Sequence, residues 1–115
     1  MSPSTIEFLE HIQKELNFLA THSSSVSFEK FINDDLISRA YLRSIEIIGE
    51  AAKKVPDEIR YKYNEVDWRG MTGLRDVLIH QYFQVDYAIV WDVIQNNIPL
   101  AKEWIDYIIE KEKQS

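Results

Sequence analysis

Within eight residues, Arg75-Asp76-Val77-Leu78-Ile79-His80-Gln81-Tyr82 sets out a guanidinium, a carboxylate, an imidazole and a phenol. No other stretch of the 115-residue chain gathers as much reactive chemistry. At about 100° per residue on an α-helix, Asp76 and His80 stand one turn apart, and Arg75 returns to the azimuth of Tyr82 after two turns. His80 supplies an imidazole whose ordinary pKa, about 6.5, suits proton transfer near neutrality. Arg75 can grip a phosphate through two parallel N–H groups and stabilise charge developing on it. RNA carries its own nucleophile, the 2′-hydroxyl. Strand cleavage through a cyclic phosphate therefore asks the protein only for a base, an acid and charge stabilisation. No group of histidines and carboxylates has metal-ligand spacing, and none is needed.

A single imidazole is a poor choice for both base and acid in one turnover, so two copies of the chain are expected to share the work. A homodimer apposing two such helix ends brings two imidazoles and two guanidiniums together. Asp76 is assigned an orienting role toward Arg75 or His80, because its own charge repels phosphate. The simpler alternative is that Arg75 lies along its own apolar helix face or pairs with a carboxylate of another helix, and that His80 only meets the last carbonyls. Spacing leaves both readings open.

The elements that must carry this stretch are helical. The absence of cysteine excludes disulfides, thiolate metal sites and a cysteine nucleophile. Hydrophobic residues at 45% and charged residues at 28% suit one folded domain over residues 1–115. Met1-Ser2-Pro3-Ser4 lacks the basic and apolar runs of a signal peptide, and no unbroken apolar run is long enough for a bilayer. The cytoplasm is the expected compartment. A net charge of -6 argues against a broad nucleic-acid surface. Residues 36–75 nevertheless hold eight basic and six acidic groups, against two and six in residues 1–35 and three and seven in residues 76–115. A local anion site survives the global acidity.

Ser4-Thr5-Ile6-Glu7 has the form of a capping box opening a first helix, whose stripe Leu9, Ile12, Leu16 and Leu19 faces the core to about residue 21. His11 and His22 lack partners at metal spacing and are expected to be solvated. Ser27 caps a short helical turn with Phe28 and Phe31 as core wedges. Asp34 or Asp35 caps a long helix to about Lys54, stopped by Pro56, with Ile37, Tyr41, Ile48, Ala51, Ala52 and Val55 inward. Arg39 and Arg43 share one face of that helix; they pair with Glu46 or Glu50, or else contact RNA phosphate. Residues 57–63 read as a short helix.

Asp67 caps the helix carrying the reactive stretch, and Gly70 and Gly73 in its first turns predict close passage of another backbone. Asp86 caps a last helix with Ile89, Val90, Val93, Ile94, Ile98, Ala101, Ile105 and Ile108 inward. Its phase persists across Pro99, which predicts one helix kinked near Asn97 rather than two. Trp91, Trp104 and Tyr107 are expected at core or interface, and the tail from Glu110 is expected to fray. The fold class is all-α: an up-and-down bundle of four main helices with one or two short ones.

The Arg75-Asp76 to His80-x-Tyr82 pattern resembles the Arg-(four residues)-His-x-Tyr signature of HEPN-domain proteins, specifically the HepT-like toxins. The likeness extends through Ile45 to Lys54, through Val66-Asp67-Trp68-Arg69, and through Val85-Asp86 with Val90-Trp91. It implies a HEPN-like helical homodimer acting without metal or cofactor as an endoribonuclease toxin, with a composite site between the two motif helices. It further implies a toxin–antitoxin pair with a minimal nucleotidyltransferase as antitoxin. By the same resemblance Arg75 and His80 are the catalytic pair, Asp76 is the supporting polar position, and Tyr82 is the tyrosine to which the antitoxin can transfer AMP. The family often has asparagine where this chain has Asp76. A reading of a different class is a catalytically silent HEPN module that binds nucleotide or the nucleotidyltransferase as a structural or regulatory subunit.

Overall fold

The computed structural model describes residues 3–80 and 84–114, with side chains for 4–78 and 84–114. Among these residues there is no strand. The helices are α1 (Pro3–Ser23), α2 (Phe28–Asn33), α3 (Asp35–Lys54), α4 (Asp57–Lys62), α5 (Trp68–His80), α6 (Tyr87–Asp92) and α7 (Ile98–Lys113), with a π-helical turn over Val93–Asn97. Since α6, the π turn and α7 run on without a break, the architecture is four long helical bodies plus the short α2 and α4. This is the expected all-α bundle. None of the described helices is long and apolar enough to cross a membrane.

Burial follows the sequence periodicity. Leu9, Ile12, Leu16 and Leu19 of α1 are completely buried, and α1 packs against both α3 and α7. Tyr41, Ile45, Ile48, Ala51 and Ala52 of α3 meet them, as do Ile105 and Ile108 of α7. Each fully buried aliphatic side chain contributes about 1.5–3 kcal/mol. Phe31 is the aromatic wedge of α2, stacked between Tyr41 and Trp91. Phe28 stays partly exposed against Trp91.

The caps read from sequence organise the ends. Ser27 accepts from the Lys30 amide, Asp34 from the amides of Leu36 and Ile37, and Asp86 from those of Ala88 and Ile89. Helix α1 takes in Pro3 and Ser4 rather than beginning after a Ser4 cap. A first-turn proline costs no hydrogen bond, which suits this earlier start. Long helix α3 ends at Lys54, two residues before Pro56.

Around Pro99 the expected kink is a π turn. Ile98 donates to the carbonyl of Val93, five residues back. Proline lacks an amide hydrogen and crowds the carbonyl four residues before it, and a widened turn just upstream accommodates both defects without ending the helix. Val90, Ile94 and Ile98 thereby stay buried at spacings of four. Ile89, expected inward, is 58% exposed, because it falls one position off that buried line.

Three further expectations are corrected. The C-terminal residues do not fray: α7 continues to Lys113, and the buried Glu112 accepts from Lys62 at 2.8 Å and from the Tyr63 hydroxyl. That pairing, Lys62 first, holds the Glu112 carboxyl below its usual range. Although exposed, His22 is not merely solvated, since its Nδ1 hydrogen-bonds with the Tyr41 hydroxyl. Close helix passage occurs at neither Gly70 nor Gly73. Among the described residues a Cβ on Gly70 would meet only the capping Asp67 carboxylate, and one on Gly73 would meet nothing. The tight approach is at Gly49 of α3, where a Cβ would overlap that of Arg75 on α5 and lie 2.8 Å from the Met71 carbonyl oxygen.

These features give stability tests. Helix propensity alone makes Gly→Ala stabilising by about 1 kcal/mol, and Gly73→Ala is expected to follow it. Gly49→Ala is expected instead to destabilise by about 1–3 kcal/mol through overpacking; urea unfolding of both variants measures the opposite signs. The lowered Glu112 pKa contributes stability above the ordinary carboxylate range that is lost as pH falls through the lowered value. Glu112→Gln should therefore be less stable than wild type at pH 7 and approach it in strong acid, as read by thermal unfolding across pH.

Candidate functional site on the α3–α5 face

Asp67 opens α5 by accepting from the Gly70 amide at 2.9 Å, and Trp68 is buried with its indole N–H donating to the Tyr63 carbonyl at 3.0 Å. The start of α5 is thus fixed in both position and direction. From there the helix lies chiefly on α3, at the separation Gly49 permits. About two turns after the buried entry, Arg75 and Asp76 emerge beside the last turns of α3.

Arg75 is held from several sides. Its side chain is only 21% exposed. One terminal nitrogen donates to Asp76 Oδ1 at 3.0 Å, and the other faces Glu50 Oε1 at 3.6 Å. Its Nε is buried and has no hydrogen-bond acceptor among the described residues. Asp76 in turn accepts from Lys53 Nζ at 2.8 Å on the same Oδ1. Lys53, then Arg75, lowers the Asp76 carboxyl below its usual range, so it is an anion at neutral pH. Glu50 and Lys53 are three residues apart on α3, which puts them on one face. The outcome is a chain of alternating charge, Glu50–Arg75–Asp76–Lys53, that crosses from α3 to α5 and back.

Chemically, a guanidinium with a buried stem and two terminal nitrogens at a helix surface is prepared to bind an oxyanion. The Glu50 contact is long and that carboxylate is half-exposed, so it is the weaker of the two contacts on Arg75. Asp76 is different. It accepts from Lys53 on one side and from a terminal nitrogen of Arg75 on the other.

The other residues expected at the site separate into three groups. The backbone of His80 closes α5 five residues after Arg75; its side chain lies outside the described residues, and so does any bond between it and Asp76. Tyr82 also lies outside them. Arg39 and Arg43 are not brought to the Arg75 cluster. Arg43 is paired with Glu46 at 3.2 Å, one of the two partners expected for it, and the other, Glu50, faces Arg75 instead. Arg39 lies eleven residues before Glu50, about 16 Å along the helix axis.

Sequence reasoning missed Gly49 and Lys53. The signal was a glycine inside a long amphipathic helix, which costs about 1 kcal/mol and needs a reason, followed by a carboxylate and a lysine at helical spacing. Beside the site, Met71 and Leu74 of α5 line an apolar pocket of about 230 Å³ with Ile48, Ile98 and Trp104. Among the described residues no three His, Asp or Glu side chains gather as a metal-binding group.

Comparison with known proteins covers nearly the whole chain. Residues 9–108 match the family described as "Ribonuclease HepT-like". A protein of Caldanaerobacter subterraneus subsp. tengcongensis named "Putative RNase TTE0752" is 45% identical over 92% of this chain and 95% of its own. "Putative RNase MJ0127" of Methanocaldococcus jannaschii is 38% identical over 90% of this chain and 85% of its own. "Probable ribonuclease HepT" of Thermococcus cleftensis is 35% identical over 89% and 93% respectively. No solved structure matches at a significant level. With a family match that spans most of the bundle, and relatives that align over almost their full lengths, this chain belongs to the ribonuclease HepT-like family.

Proposed function

We propose that the chain is an endoribonuclease that cleaves RNA without a metal, acting as the toxin of a toxin–antitoxin pair. The observation that carries this reading is Arg75: a half-buried guanidinium, fixed by Asp76 and opposed by an exchangeable carboxylate, one helical segment before His80. Family membership supports the same activity class.

In the proposed reaction two copies of the chain appose their α5 ends. One His80 imidazole removes the 2′-hydroxyl proton; the 2′-oxygen bonds to phosphorus as the bond to the 5′-oxygen breaks; the second copy's imidazolium protonates that leaving oxygen. The products are a 2′,3′-cyclic phosphate and a 5′-hydroxyl. Arg75 neutralises the charge that builds on the non-bridging oxygens. Among the described residues the face of α5 at Gly73 is open, and Val77, one turn later on that same face, is an exposed apolar side chain; both suit apposition of a second copy. Arg39 and Arg43, remote from Arg75 on α3, would meet only flanking phosphates.

Neutralisation is proposed to come from a minimal nucleotidyltransferase antitoxin that transfers AMP to Tyr82. The phenolic oxygen bonds to the α-phosphorus of ATP, pyrophosphate leaves and the phenol proton is lost. The resulting phosphodiester puts a negative charge and a nucleoside two residues from His80, where they oppose entry of RNA phosphate. A second reading draws on the same ion pairs: with both terminal nitrogens facing carboxylates, Arg75 serves as a staple between α3 and α5 in a catalytically silent module that binds nucleotide or its partner protein.

His80→Ala separates the two. Under the nuclease reading the wild type degrades RNA in the presence of EDTA, and the variant falls by at least about 100-fold, the usual effect of losing a general acid–base group. Equal RNA loss by both proteins would assign the activity to a contaminant. After co-expression with a nucleotidyltransferase encoded beside it, intact-protein mass spectrometry is expected to find AMP added, mapped to Tyr82. Full neutralisation with an unmodified Tyr82 would overturn the modification.

A further inference from the structure

Asp76 sets a physical problem for a phosphate-binding arginine. A carboxylate on the adjacent residue, bonded to the guanidinium at 3.0 Å, fixes its orientation but also cancels the charge needed to attract RNA. The same oxygen that accepts from Arg75 accepts from Lys53 at 2.8 Å, the shorter of the two bonds. Lys53 comes from α3, three residues after Glu50 and four after the Gly49 contact that brings α3 against Arg75.

We propose that Lys53 is a positioning residue for Arg75: it takes up the Asp76 negative charge from the α3 side, so that Asp76 can hold the guanidinium in place without neutralising it toward an RNA phosphate. The proposal rests on the nuclease reading above and deepens it. Lys53 and Arg75 share one anion, which leaves the trio with a net positive charge. Glu50, at 3.6 Å, is the counter-ion that phosphate exchanges with. Lys53 itself does not touch the reacting atoms. Without it, Asp76 would turn its full charge on Arg75, and RNA would have to compete with two carboxylates.

The test compares Lys53→Gln, Lys53→Arg, Asp76→Asn and the double variant Lys53→Gln/Asp76→Asn, each in a His80→Ala background, for binding of a fluorescent single-stranded oligoribonucleotide by anisotropy. Lys53→Gln is expected to weaken binding about fivefold, the size of one exposed ion pair. Lys53→Arg should retain binding. The double variant should regain it, because asparagine still accepts a hydrogen bond from Arg75 but carries no charge to be offset. A lysine that merely staples the helices, or that contacts phosphate directly, would make Lys53→Gln weaken binding as much in an Asp76→Asn background as beside the native Asp76, and that result overturns the proposal. So does unchanged binding in Lys53→Gln.

A second arm does not depend on RNA. The Asp76 carboxyl, followed by ¹³C NMR, should titrate below the ordinary aspartate value of about 3.9 in wild type and move upward in Lys53→Gln. An Asp76 titration unmoved by Lys53→Gln overturns the proposal even where RNA binds. A wild type that neither cleaves nor binds RNA, with the titration moving as expected, overturns the nuclease reading and the phosphate step of the proposal while the Lys53–Asp76 pairing stands.

Discussion

The contact on which the rest depends is the one where α3 and α5 come close enough for a glycine to be the only residue that fits. Gly49 lets the α5 backbone settle against α3 at Arg75, and the charges around that point follow from the separation it sets. At a wider spacing Lys53 would not reach Asp76, nor Glu50 face Arg75. The ion pairs here are partly exposed, and such pairs individually contribute about 1 kcal/mol or less. Their importance is geometric. They choose which way one guanidinium faces, while apolar burial elsewhere holds the helices in register.

The frame around this contact is arranged asymmetrically. On one side, α1 fills the space between α3 and α7 with a fully buried leucine and isoleucine stripe. On the other, α5 rests chiefly on α3, and an apolar pocket separates its first turns from Ile98 and Trp104. The motif helix is thus attached firmly along one flank and sparingly along the other. Its place at the margin of the bundle leaves the outer side of the helix clear of the packing that fills the core.

Much of this was legible in the order of residues. The caps at Ser27, Asp34, Asp67 and Asp86, the stop before Pro56, and the single helix continuing through Pro99 all follow from local chemistry, which sequence reports directly. The all-α class follows from periodicity. What escaped was of another kind. That Gly49, rather than Gly70 or Gly73, marks the close approach depends on which helix lies opposite, a matter of tertiary arrangement. Lys53 reads in sequence as one more solvated charge because its partner is 23 residues away on another helix. Glu112 reads as part of a charged tail because nothing nearby in sequence shows its partners, Tyr63 and Lys62. For Arg43 the local spacing was informative, since one of the two carboxylates it offered, Glu46, is its partner.

The π turn stores one residue more than an ordinary helical turn, and it absorbs that surplus locally by widening. Removing one residue from 93–97 would return the segment to regular α geometry and leave α6 and α7 in nearly their present relative phase. Trp91 would keep its side toward Phe31. A deletion elsewhere in the same rod would turn one end against the other by about 100°. Insertions and deletions are therefore tolerated very unevenly along this last helical rod: the five residues beside Pro99 are where its length can change without its angle.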